Sequence, residues 1–114
     1  KYPYDIRKAA SAILRFVRGK TFDDYEQDEL LRSGVEREFE ILGEALSGIR
    51  KANPALLGRI REHRNIASFR NILVHGYDSI DHAIVWAIIE EDLSQRLEDV
   101  QRLIEEEDRT NRDT

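Results

Sequence analysis

Residues 28–54 read DELLRSGVEREFEILGEALSGIRKANP, and this stretch decides the fold class. Leu31, Val35, Phe39, Leu42, Leu46 and Ile49 recur at intervals of three and four residues, the spacing that lines up one face of an α-helix. Asp28 stands where a helix needs an acceptor for its first free N–H groups. Asn53-Pro54 closes the segment, because the residue before a proline is pushed out of the helical region. The pattern predicts a helix over about 29–52.

Working outward, the same period appears on both sides. Ile6, Ala9, Ala10, Ile13, Phe16 and Val17 form one stripe, predicting a helix from about Pro3 or Tyr4 to Val17, ended by Gly19. Thr21 to Asp24 reads as a short capped turn, with Thr21 as the cap and Asp24 facing back. Residues 55–62 read as a helical turn or an irregular connection. Ile66, Phe69, Ile72 and Leu73 place a further helix over about 63–74, broken by Gly76 to Ser79. Asp81 caps the last helix, where Ile80 can staple against Val85. That helix is predicted to reach about Glu107, with Val85, Ile88, Ile89, Leu93, Leu97, Val100 and Ile104 inside, and with the polar tail 108–114 fraying. Phe16, Phe39, Phe69 and Trp86 are assigned to the core. No stretch alternates apolar and polar long enough for a convincing strand. The expected fold is all-α, an antiparallel up-and-down bundle of four to five helices forming one domain over residues 1–107.

Composition fits this and limits the function. The chain has 114 residues, 40% hydrophobic and 36% charged, enough for one packed core under a charged surface. It lacks cysteine, which removes disulfides, thiol nucleophiles and thiolate zinc sites. Its apolar runs are too broken to cross a bilayer, and no signal segment opens it, so the expected compartment is the cytoplasm. The sequence opens at Lys1 without Met, so the natural chain is expected to begin earlier. Acids outnumber bases 23 to 18, for a net charge of -5, which argues against coating nucleic acid by bulk electrostatics. The charge is unevenly spread, however. From Arg59 to Gly76 four arginines (59, 61, 64, 70) face one acid, Glu62, while from Asp81 to Asp108 ten acids face Arg96 and Arg102. The acidic stretch reads as a solvated face with i,i+4 pairs such as Asp92 to Arg96 and Glu98 to Arg102. Fourteen of the 18 bases are arginine, whose planar fork suits phosphate or carboxylate.

The basic stretch contains His63 and His75 and the segment FRNILVHGY, residues 69–77. Arg70 and His75 lie five residues apart, about 140° on a straight helix, so they converge only if the helix ends between them; Gly76 is placed for that. Arginine beside histidine suits phosphate chemistry. The guanidinium holds non-bridging oxygens, and imidazole moves a proton near neutral pH. Asn71 can hold a phosphate oxygen or orient the histidine. The natural substrate for such a pair without a metal cluster is RNA, whose 2′-OH supplies the nucleophile. As a bare pattern Arg-x4-His equally fits a histidine at a helix C-cap beside a core-flanking arginine. On the helix predicted over about 29–52, Arg37, Glu40 and Glu44 lie within about 60° of one another, opposite the apolar stripe; they could border a cleft, form an interface, or make a solvated ion-pair face.

The motif RNILVHGY, with Asp5-Ile6-Arg7, Phe22 to Tyr25, Glu40 to Ala45, Val85-Trp86 and Glu91-Asp92-Leu93 in order around it, resembles the HepT-like ribonuclease toxins of the HEPN superfamily. The resemblance covers about residues 4–105. It implies a homodimer with two Arg-x4-His motifs facing one cleft, and a metal-independent endoribonuclease with no cofactor. By that resemblance Arg70 binds phosphate, His75 is the acid/base group and Asn71 assists. Arg59, Arg61, His63 and Arg64 are candidate contacts to RNA phosphates, with DNA and membrane not expected as partners. It further implies a type VII-like toxin–antitoxin module. There a small MntA-like nucleotidyltransferase antitoxin uses ATP to place AMP on Tyr77, silencing the nuclease. A non-catalytic HEPN adaptor that binds a nucleotidyltransferase or nucleotide is the alternative.

Overall fold

A computed structural model describes the backbone over residues 2–57 and 81–113, and side chains over 2–55 and 81–110. The described residues form a helical bundle, with no strand among them. Helix α1 spans Tyr2–Val17, α2 Phe22–Gln27, α3 Glu29–Ala52 and α4 Pro54–Leu57. Beyond residue 80, α5 spans His82–Ile88, a π-helical turn covers Ile89–Leu93, and α6 spans Ser94–Asp113.

Each boundary has a local chemical cause. Gly19, with a φ of 72°, takes the left-handed conformation that ends α1. Thr21 and Asp24 make a reciprocal capping box at α2: the Asp24 N–H donates to Thr21 Oγ1 at 3.1 Å and the Thr21 N–H to Asp24 Oδ2 at 2.9 Å. These bonds, the one from the Thr21 backbone first, hold the Asp24 carboxyl below the usual aspartate range. Asp28 caps α3 by accepting from the Leu31 N–H at 3.0 Å, and α3 closes at Asn53 before Pro54. Asp81 caps α5 through bonds from Ala83 N–H at 2.9 Å and Ile84 N–H at 3.4 Å.

The long helices α1, α3 and α6 share one core. Ile6, Ala9, Ala10 and Ile13 of α1 meet Val35, Phe39, Leu42 and Leu46 of α3, and Leu93, Val100 and Ile104 close the far side. Alanines at 9, 10 and 12 let α1 approach its neighbours closely. Two aromatic-on-glycine contacts set the α1–α3 register. The Phe16 ring lies against Gly34, and the Tyr2 ring lies over Gly48 so tightly that a Cβ there would overlap it. Tyr2 and Phe16 are separated by the same fourteen residues as Gly34 and Gly48, so the two helices run antiparallel. At the Tyr2–Gly48 end the Tyr4 hydroxyl donates to Asp108 Oδ1 at 3.1 Å, tying the start of α1 to the C-terminal part of α6. Helix α6 continues past Glu107 through Asp113.

Three expectations need correction. Phe16 is 37% exposed rather than core, because it sits at the edge of the α1–α3 contact; Phe39 and Trp86 are buried as expected, and Phe69 lies outside the described residues. Arg96 is only 2% exposed and is not part of a solvated face. It falls seven residues after Ile89 and three after Leu93, near the centre of the buried stripe, whereas Leu97 falls to one side and is only partly buried. The Arg96 head is served locally only in part: Nε donates to the Asp92 carbonyl at 3.3 Å and Nη2 to Gln95 Oε1 at 2.9 Å, while Nη1 is buried without a hydrogen-bond partner among the described residues. Arg102, in turn, pairs with Asp99 one turn back and not with Glu98, and Asp99 is itself 1% exposed.

Candidate functional site

The residues singled out for phosphate chemistry, Arg70, Asn71, His75 and Tyr77, lie outside the described residues, as do Arg59, Arg61, His63 and Arg64. What the structure gives is the frame on either side of that segment. The described chain stops after α4, beyond Asn53-Pro54, and resumes at Asp81, whose side chain starts α5.

The first turn of α5 rests on a polar and aromatic cluster drawn from three helices. His82 of α5 meets the Tyr25 ring of α2 edge-on, with centroids 6.1 Å apart. Trp86, one turn on, lies 5.4 Å from Tyr25 and 6.3 Å from Phe22. Tyr25 is fully buried, and burial pushes its phenol well above the ordinary tyrosine value. Its hydroxyl and the Nδ1 of His82 are buried without a hydrogen-bond partner among the described residues. Glu36 of α3 completes the group. Burial raises its carboxyl above the usual glutamate range, with His82 and Arg32 pulling the other way and Glu40 adding to the rise.

On the outer face of α3, Arg37 Nη1 and Glu40 Oε2 form an ion pair at 3.3 Å, and both side chains are solvent-accessible. Glu44 lies one turn further along the same face and is exposed. The three residues therefore share a face, as their spacing predicts, and the pair they contain is the one-turn pairing of an exposed helix. Among the described residues no group of three or more His, Asp or Glu side chains is placed to hold a metal ion, and no helix is long and apolar enough to cross a membrane.

The model of the family described as ribonuclease HepT-like matches residues 6–106, spanning all of α3, most of α1 and α6, and the whole Arg70–Tyr77 segment. The chain belongs to the HepT-like ribonuclease family. Among its HepT-like relatives is a protein of Thermococcus cleftensis named "Probable ribonuclease HepT", 33% identical over 81% of this chain and 83% of that protein. A candidate RNase of Methanocaldococcus jannaschii is 28% identical over 86% of this chain and 89% of its own length. A candidate RNase of Caldanaerobacter subterraneus is 24% identical over 93% and 94%. No solved structure matches this chain.

The Tyr25–Glu36–His82 grouping and the burial of Arg96 were not read from the sequence. Tyr25 and His82 sit 57 residues apart, so no periodicity joins them. A signal for Arg96 was present: its position on the Ile89–Leu93–Val100 stripe outweighs its charge.

Proposed function

We propose that this chain is the toxin of a type VII-like toxin–antitoxin module, a metal-independent endoribonuclease acting in the cytoplasm. The observation that carries the reading is the family match across residues 6–106, which encloses an intact Arg70-Asn71…His75…Tyr77 set. In this reading Arg70 holds the non-bridging oxygens of the scissile phosphate and stabilises the charge that builds on them. The RNA's 2′-oxygen attacks phosphorus, the bond to the 5′-oxygen breaks, and His75 moves the proton between them. Asn71 steadies a phosphate oxygen or the imidazole. Arg59, Arg61, His63 and Arg64 hold flanking phosphates.

Two copies of the chain bring two such basic segments to one cleft, which concentrates positive potential despite the acidic whole. Regulation falls to Tyr77. A partner nucleotidyltransferase directs its phenol oxygen onto the α-phosphorus of ATP, pyrophosphate leaves, and the attached AMP blocks the phosphate site by bulk and charge.

The test is cleavage of a defined RNA with EDTA present, with analysis of the ends. The expected products carry a 2′,3′-cyclic phosphate, and an RNA with a single 2′-deoxy residue at the cut site resists. Cleavage of the deoxy substrate, or activity restored only by a divalent ion, would overturn the mechanism. Absence of any cleavage would favour a non-catalytic adaptor of the nucleotidyltransferase.

A further inference from the structure

We propose that the solvent face of α1 is a track for single-stranded RNA, a contact surface beyond the Arg70–Tyr77 segment; the choice of RNA as the polyanion rests on the nuclease reading. Residues 2–20 hold Arg7, Lys8, Arg15, Arg18 and Lys20 against one acid, Asp5, in a chain whose net charge is -5. Tyr4, Lys8, Arg15, Arg18 and Lys20 are exposed, and Arg7 is half-buried. Around the helix Tyr4, Arg7, Lys8, Ser11 and Arg15 fall within about 100° of one another. They lie opposite the Ile6–Ala9–Ala10–Ile13 stripe that packs in the core. Lys8 and Arg15 stand about 10 Å apart along the axis, and Arg18 and Lys20 carry the line on into the turn around Gly19.

These cations have no counter-charge inside the chain. Among the described residues none of the five forms an ion pair; Arg7 instead lies over the Tyr4 ring, 5.0 Å from its centroid. The helix dipole favours a cation in the last turn, where Arg15 stands, and gives no reason for Lys8 two turns earlier. A strand of RNA gives one. Its phosphates meet the cations in succession, while the Arg7 plane, the Tyr4 ring and the Phe16 ring at the flank offer faces on which bases stack. Acids mark the edges of the track. Glu107 and Asp108 of α6 stand by the Tyr4 hydroxyl, and Asp28 and Glu29 stand exposed at the start of α3. A polyanion is thereby confined to α1 and does not spread across the bundle. A lipid surface fits less well, because the apolar face that a membrane-bound helix inserts is here packed in the core.

The test is binding of fluorescein-labelled poly(U) RNA to the full chain carrying His75→Ala, which keeps the RNA intact, read by fluorescence anisotropy over a series of salt concentrations. Adding Lys8→Gln/Arg15→Gln/Arg18→Gln should weaken binding at least tenfold. It should also reduce the slope of log K against log salt by about 2, three contacts at about 0.7 each on a single strand. Lys8→Gln alone should reduce the slope by about 0.7. Lys8→Arg/Arg15→Lys/Arg18→Lys keeps the charge and should bind as the parent does. All three side chains are exposed, so the fold should survive, which far-UV circular dichroism checks. Unchanged affinity and slope in the neutral variants, or loss of binding in the charge-keeping one, overturns the proposal. Absence of poly(U) binding, with or without binding to phosphatidylserine vesicles, overturns it too. Cleavage of the same RNA by the chain with His75 intact keeps the two readings apart. Binding through α1 without cleavage contradicts the nuclease alone, and cleavage with binding indifferent to Lys8, Arg15 and Arg18 contradicts the track alone.

Discussion

Replacing Tyr25 with phenylalanine should stabilise this protein, the reverse of what deleting a hydroxyl from a packed core usually does. Tyr25 of α2 is fully buried, with Trp86 packed at a tilt against its ring and His82 touching it edge-on. Its ring therefore contributes the full packing of an aromatic side chain, which phenylalanine keeps. Its hydroxyl is buried without a hydrogen-bond partner among the described residues, and a buried polar group in that state costs about 1–3 kcal/mol. The neighbouring carboxyl of Glu36, itself pushed toward its protonated form by burial, adds no cation to offset that cost. Taking the low end of the range, Tyr25→Phe should gain about 1 kcal/mol, or about 4–8 °C in Tm for a domain near this size. Urea unfolding followed by circular dichroism, checked by calorimetry, measures it, and an unchanged m-value shows that the unfolded state is the same. A loss of stability beyond about 0.5 kcal/mol would mean that the hydroxyl is satisfied in solution, and the description of this cluster would be wrong.

Further outcomes follow from the same structure. Glu36 holds its proton more tightly in the folded chain than in the unfolded one, so its contribution is complete below the ordinary glutamate range and is lost as pH rises through its raised value; Glu36→Gln should match the wild type in acid and exceed it in stability toward neutral pH, read as the difference in urea midpoint against pH. Asp81→Ala removes the acceptor for two N–H groups of α5 and should cost about 1 kcal/mol in equilibrium unfolding. Gly34→Ala should gain about 0.5–1 kcal/mol from helix propensity, since its methyl meets the Phe16 ring at an ordinary 3.5 Å. Gly48→Ala must displace the Tyr2 ring and should fall short of Gly34→Ala in thermal unfolding. Arg96→Ala strips a buried stem and leaves a void, so it should destabilise by about 2–4 kcal/mol, whereas Arg96→Met keeps the stem volume and should recover most of that loss.

The sequence carried the frame well because the frame rests on local rules. The stripe from Leu31 to Ile49, with Asp28 before it and Asn53-Pro54 after, yields α3 at its observed bounds. Thr21 and Asp24, and then Asp81, mark caps that the structure contains. What escaped was set by tertiary geometry. Phe16 looked like core by hydropathy, yet its place at the rim of the α1–α3 contact exposes it. Arg96 looked like surface by charge, yet its turn of the helix faces inward, where the Asp92 carbonyl receives its Nε–H and Gln95 an Nη2–H. The Tyr25–Glu36–His82 cluster joins three helices distant along the chain and has no pattern in one dimension. The Arg70–Tyr77 segment was legible as candidate chemistry from its residue types alone, and it lies outside the described residues.

The most direct test of the nuclease reading is a single comparison: purified wild type and His75→Ala, each incubated with the same end-labelled RNA in EDTA. The account predicts cleavage by the wild type and its loss, by at least a hundredfold in rate, in a variant that unfolds at the wild-type midpoint. A folded His75→Ala protein that cleaves the RNA at the wild-type rate would contradict it.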